Sequence, residues 1–190
     1  MTAETIRTFI CFEIGKNAQD YLANIISGGK KIGDRIAWSK PQNIHLTLKF
    51  LGDISSAQIA EIGKIIKEIA TGTTGFNLTI DHLGAFPNFR TPRVFWVGSS
   101  HIPAALSHLV AGLEEQIQPL GFKKERRAFK PHLTLGRVKG RDFRETVAFL
   151  KNHPFEPQTF DCNEIILMRS DLQPAGALYT PIQQFNLQFI

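Results

Sequence analysis

Cysteine is scarce, with two in 190 residues, Cys11 and Cys162. Both lie inside apolar, strand-like stretches, and no Cys-x-x-Cys occurs. That excludes a disulfide-built scaffold, a zinc knuckle and a thioredoxin-like site, and favours two buried thiols in a reducing compartment. Long apolar runs are missing too, and the longest is far too short to cross a bilayer as a helix. Met1 to Thr5 lack the basic start and apolar run of a secretory leader. Low-complexity and linker-like segments are absent. These gaps predict a soluble cytoplasmic protein folded as one unit over residues 1–190. Acidic side chains are in the minority, 17 Asp plus Glu against 22 Lys plus Arg, for a formal net charge of +5. A phosphate-bearing partner suits that balance better than a basic metabolite.

What is there alternates short β-rich runs with amphipathic stretches. Residues 7–14 (RTFICFEI) predict a strand. Residues 17–26 predict a helix with Tyr21, Leu22, Ile25 and Ile26 on one face, stopped by Gly28 and Gly29. Residues 36–39 read as a short strand, and 45–51 as a strand ending at Gly52. Ser55 or Ser56 caps a helix with an isoleucine stripe at 59, 62, 65, 66 and 69. Residues 76–83 and 93–97 read as strands, separated by a turn-rich loop at 84–92. Pro103 opens a helix that buries Leu106, Leu109, Val110, Leu113 and Ile117. After a basic stretch at 123–130 come a strand at 132–138, a helix at 143–152 and strands near Phe160, at 165–168 and at 179–189. Strands and helices in similar number point to an α+β or α/β fold.

One tetrapeptide occurs twice. His45-Leu46-Thr47-Leu48 returns 87 positions later as His132-Leu133-Thr134-Leu135. From composition, two chance copies have odds on the order of one in 10⁵. An internal duplication with two equivalent half-sites explains the repeat better. Strand period two puts His45 and Thr47 on one face, and His132 and Thr134 likewise, with the leucines turned to the core. If a pseudo-twofold axis relates the halves, two imidazoles and two hydroxyls meet across a cleft.

Such a site suits in-line displacement at phosphorus. A neutral imidazole takes a proton from the attacking water, and a charged one on the far side protonates the leaving oxygen. The threonine hydroxyls can hold the non-bridging oxygens. No metal is needed. Two histidines fall short of a zinc ligand set, and no His-x-His or His-Glu-x-x-His helps.

With these tetrads the chain resembles the 2H phosphoesterase superfamily, and more narrowly the RNA 2′,3′-cyclic phosphodiesterases, also named 2′-5′ RNA ligases. The likeness runs nearly end to end, through RTFICFEI, NIHLTLKFLGD, AFPNFRTPRVFWVG, FKPHLTLGR and LMRSDLQPAGALY. The resemblance implies an α+β fold, bilobal and pseudo-twofold, with two antiparallel sheets, helices on their outer faces and a central cleft. Each lobe would carry one tetrad strand. It implies hydrolysis of a terminal RNA 2′,3′-cyclic phosphate to a 2′-phosphomonoester without metal or other cofactor. His45 would be the proton donor to the 3′ leaving oxygen and His132 the proton acceptor. Thr47 and Thr134 would hold the phosphate. Arg137, five residues after the second histidine, matches a family position expected to contact phosphate. Strict alternation turns it away from His132, but a bulge at Gly136 would re-aim it. The implied partner is an RNA end bearing the cyclic phosphate. No membrane or obligate protein partner is called for, and a monomer is the default.

Three other readings stand beside this one. They are reversible 2′-5′ ligation as the main activity, action on small cyclic nucleotides, and a non-catalytic RNA-binding module whose histidines only contact phosphate. The basic run at 123–130 either tracks an RNA backbone or is a solvated loop. Arg90 and Arg93 flank a loop that would sit at the cleft mouth. Alternation assigns Phe50 to the core, and Phe86 and Phe89 read as loop aromatics that plug locally as readily as they stack on a base. His82, His101, His108 and His153 read as bystanders, with His101 and His108 on a helix. Residues 28–33 (GGKKIG) make no P-loop, because neither Lys-Ser nor Lys-Thr follows. No lysine motif of an ATP-dependent ligase is present.

Overall fold

The computed structural model describes residues 5–174 and 176–188. Met1 to Glu4 and the end of the predicted last strand, Phe189, lie outside the described residues. The chain runs β1 (Thr5–Glu13), α1 (Lys16–Lys30), β2 (Ile36–Trp38), β3 (His45–Ser55), α2 (Ser56–Thr71), β4 (Phe76–Ile80), β5 (His82–Phe86) and β6 (Val94–Gly98). It continues with α3 (Ala104–Ile117), β7 (His132–Val138), α4 (Arg144–Asn152), β8 (Gln158–Cys162), β9 (Glu164–Asp171) and β10 (Leu178–Asn186). Two four-stranded antiparallel sheets carry the fold, in orders β10-β9-β1-β3 and β2-β7-β6-β5, and β4 pairs with β8 as a separate ribbon. The expected α+β class and paired sheets hold.

The sheets are not the two halves of the chain. β9 and β10 cross back to join β1 and β3, while β2 from the first half pairs with β7. The helices are exchanged too: α2 packs on β3, β9 and β10 and α3 on β3, whereas α1 packs on β2 and α4. One hydrophobic core runs through all of this, with Ile10, Leu46, Ile66, Phe95, Leu113 and Leu133 among its buried members. The strand β3 lies against β7. Phe9, Cys11, Ile166 and Met168 form a small second cluster on the other face of the first sheet. Both cysteines are buried free thiols. No described helix is long and apolar enough to cross a membrane.

Three local expectations change. Gly28 and Gly29 do not stop α1 but lie inside it. A Cβ on Gly29 would sit 2.4 Å from Trp38 Cζ2, and one on Gly28 2.8 Å from Phe149 Cζ, so both glycines serve close approach. The run at 76–83 is not one strand. It breaks at Asp81 and feeds two sheets, and the part of the predicted loop at 84–86 is paired with β6. Gly84 reads as a turn former, yet a Cβ there would meet Trp96 Cζ2 at 2.2 Å, so the ring occupies its place. His101 precedes α3 rather than lying on it. The cap of α2 is Ser55, in a reciprocal capping box with Gln58.

Candidate active site

Both tetrads open a strand, and in both the alternation holds for four residues: the histidine and threonine are half-buried and the leucines buried. Then each strand bulges at the same place. Ile10 pairs with Lys49 and Cys11 with Thr47, so Leu48 is the extra residue in β3. Phe95 pairs with Gly136 and Trp96 with Thr134, so Leu135 is the extra residue in β7. A bulge reverses the facing of everything beyond it. The fifth residue after each histidine, Phe50 or Arg137, therefore returns to the face of the histidine. Phe50 is not in the core: it is 65% exposed and lines the cleft, as does Arg137.

The two imidazoles are held alike. His45 Nδ1 lies 2.8 Å from the Asn43 carbonyl oxygen, and His132 Nδ1 lies 2.7 Å from that of Lys130. A carbonyl only accepts, so Nδ1–H is the donor in both rings and Nε2 is left free for chemistry. Around the rings the halves differ. His45 stacks on Phe9 (centroids 4.6 Å, 24°) and meets Tyr179 edge-on at 5.2 Å. His132 meets Phe86 at 5.0 Å and Trp96 at 6.4 Å. Phe86 is thus part of the wall beside the second histidine, and His82, edge-on to Trp96 at 5.4 Å, extends that wall.

Burial pushes His45 down to about 4, against the Asn43 carbonyl, with the charge of His132 adding to the fall. Burial also lowers His132, against the Lys130 carbonyl and helped by the Arg137 charge. Both shifts favour the neutral ring in the free protein.

His45, Thr47, Thr134 and Arg137 line one cleft of about 550 Å³. His132 is not in that lining and stands on the second sheet beside it, near enough to perturb His45. Ser39 Oγ donates to the Thr134 carbonyl at 2.7 Å and secures the strand where the second threonine sits. Sequence reasoning missed Arg7, Asn43, Phe9 and Tyr179. Arg7 lines the cleft together with Arg137, and both cations hold down the Tyr179 hydroxyl, which burial raises. Alternation in β1 puts Arg7 with Phe9 and was the available signal. Asn43 does double duty: its carbonyl orients His45, and its Nδ2 donates to the Ala177 carbonyl at 2.7 Å, tying down the turn before β10. No local signal marks that contact, which spans 134 positions. Among the described residues no three His, Cys, Asp or Glu side chains are grouped to hold a metal ion.

The arrangement offers two free imidazole nitrogens, two hydroxyls and two guanidinium groups, a set suited to proton transfer on an anionic phosphate. Known proteins agree. The model of the LigT-like phosphoesterase family matches twice in tandem, over residues 14–96 and 97–179, each match holding one tetrad. A protein named RNA 2′,3′-cyclic phosphodiesterase from Methanothermobacter thermautotrophicus is 33% identical over 184 residues, 96% of this chain and 99% of that one. Another of that name, from Aquifex aeolicus, is 31% identical over 97% of this chain and 98% of its own. Among solved structures, apo LigT of E. coli superposes with a TM-score of 0.78 at 23% identity, covering 98% of this chain and 99% of that one. Its complex with 3′-AMP gives 0.76 at 25% identity, with 97% and 99% covered. The chain belongs to the LigT-like phosphoesterase family.

Proposed function

We propose that this phosphoesterase opens the 2′,3′-cyclic phosphate at the end of an RNA and leaves a 2′-phosphomonoester, by metal-independent catalysis with two histidines. The observation that carries the reading is the matched anchoring of the imidazoles, each with Nδ1 tied to a backbone carbonyl two residues upstream and Nε2 free. In the reaction His132 Nε2 takes a proton from water. The water oxygen bonds to phosphorus, the bond from phosphorus to O3′ breaks in line, and His45 gives its Nε2 proton to O3′. The Thr47 and Thr134 hydroxyls donate to the non-bridging oxygens, and Arg137 balances their charge. His45 is neutral in the empty cleft, and the anionic phosphate beside it stabilises its charged form, so substrate binding arms the acid. The names of the relatives and the 3′-AMP held by E. coli LigT support an RNA end as substrate. One chain supplies both histidines, so a monomer suffices for catalysis, and its setting is the cytoplasm.

The test is incubation with a short RNA ending in a 2′,3′-cyclic phosphate, in EDTA, beside His45→Ala and His132→Ala. The expected result is a 2′-phosphate product, with turnover lowered by at least about 10³-fold in each variant. Loss of activity in EDTA, a 3′-phosphate product, or full activity in either variant overturns the mechanism.

A further inference from the structure

Lys49 directly follows the bulged residue of β3. It sits in β3 two positions after Thr47, and its counterpart in β7 is Gly136. Its side chain is 5% exposed and its Nζ lies 2.7 Å from Glu114 Oε2 on α3, itself 17% exposed. A buried ion pair contributes little net stability, because desolvation offsets the attraction. This pair has further bonds, and they all go to one segment. Lys49 Nζ donates to the Lys123 carbonyl at 3.2 Å, and Glu114 Oε2 accepts from the Glu125 backbone N–H at 3.1 Å. The pair grips the loop at 121–131, which has no regular structure of its own and leads straight into His132. Phe122 and Phe129 pack its two ends against the core.

The loop presents Lys123, Lys124, Arg126, Arg127 and Lys130, all exposed. Among the described residues none of the five has an ion-pair partner. Its single carboxylate, Glu125, is turned back on the loop and accepts from the Arg126 and Arg127 backbone N–H groups at 3.0 and 3.3 Å. A solvated loop needs no buried clamp. Here five unneutralised charges are held in a fixed place, the last of them two residues from a histidine of the site.

We propose that the loop at 121–131, clamped by Lys49 and Glu114, docks the RNA chain on the 5′ side of the terminal nucleotide, its cations meeting successive phosphates. This deepens the reading above and rests on it. Lys49 and Glu114 act through the loop and are positioning residues. A mononucleotide 2′,3′-cyclic phosphate fills only the cleft, whereas a longer RNA also reaches the loop.

The experiment compares those two substrates in the full chain. The first variant replaces Lys123, Lys124, Arg126 and Arg127 with Ala, all surface positions. The second is Lys49→Met with Glu114→Leu, which leaves no unpaired buried charge. For each, KM and kcat are measured on the mononucleotide and on a ten-nucleotide RNA. The affinity for the same RNA ending in a 3′-hydroxyl is read by fluorescence anisotropy across a salt series. The expected result is KM for the RNA raised tenfold or more in both variants, with kcat on the RNA and both constants on the mononucleotide changed less than twofold. The slope of log affinity against log salt should fall by about three in the surface variant. Unchanged RNA affinity and salt slope in the surface variant overturn the proposal. So does an equal loss on both substrates, which marks a structural role. If the wild type turns over neither substrate, the proposed function fails by itself, and the anisotropy still decides the loop.

Discussion

At the scale of the residue, the two histidines share a motif but not an environment, and their pH behaviour follows from that. Catalysis needs one imidazole charged and one neutral, so activity tracks the singly protonated pair. Burial lowers both values, His45 to about 4 and His132 from its ordinary 6.5. As pH rises past the upper of these the pair loses its one proton. On a mononucleotide 2′,3′-cyclic phosphate, kcat/KM should therefore peak below pH 6.5 and fall ~tenfold per unit on the alkaline side. The bound anion favours imidazolium, so the optimum of kcat should lie at higher pH than that of kcat/KM. Arg137 adds a sign test. Its charge disfavours protonated His132, so Arg137→Ala should move the alkaline limb upward while lowering kcat/KM by roughly 10- to 100-fold through the lost phosphate contact. A flat profile to pH 8, or a limb that moves down in Arg137→Ala, would count against these assignments.

At the scale of the element, what was legible in the sequence had a local cause. The period of a strand was enough to pair His45 with Thr47 and His132 with Thr134, and the apolar stripe of α3 came out as read, with Leu106, Leu109, Val110, Leu113 and Ile117 all buried. The bulge was not legible at β3, because the extra residue is defined by the partner strand β1 and not by Leu48 itself. Phe50 was misplaced for that reason, while at β7 the glycine after Leu135 gave a hint that Arg137 is re-aimed. Gly28 and Gly29 look like punctuation in the sequence because the rings that require them, Phe149 and Trp38, are distant in sequence. That difference can be measured. An alanine at Gly29 gains up to ~1 kcal/mol of helix propensity, but its Cβ would meet Trp38 Cζ2 at 2.4 Å, and overpacking costs about 1–3 kcal/mol. At Gly112 in α3 the Cβ would meet only Ile69, Cδ1 at 3.7 Å and Cγ1 at 3.9 Å, ordinary contacts. Urea unfolding should show Gly29→Ala destabilised and Gly112→Ala stabilised by about 0.5–1 kcal/mol. The same sign for both would mean that the packing at Gly29 is not what selects glycine.

At the scale of the whole molecule, the sequence carries a tandem duplication, and the strand order argues that neither copy folds alone. The repeat matches over 14–96 and 97–179 suggest two domains that could be cut apart. The strand order forbids it. In residues 101–190 β7 keeps neither neighbour, since β2 and β6 lie before the cut, and β8 loses β4. The first half loses β9, which covers β1 in the middle of its sheet. The core is divided as well, because Ile10 and Phe95 before the cut and Leu133 and Ile165 after it belong to one cluster. Exchange of strands therefore predicts one cooperative body, with His45 and His132 held together without a hinge-like linker between repeats. The intact chain should unfold in urea as one transition. Fluorescence from the two tryptophans, Trp38 and Trp96, reports only the second sheet, whereas far-UV circular dichroism reports both, and the midpoints should coincide. Residues 101–190 expressed alone should show no cooperative transition, and activity should return only when residues 1–100 are supplied and the two pieces refold together. A cooperative transition in the isolated second piece, or separate midpoints in the intact chain, would mean that the sheets are stable independently and that the cleft between them is free to open.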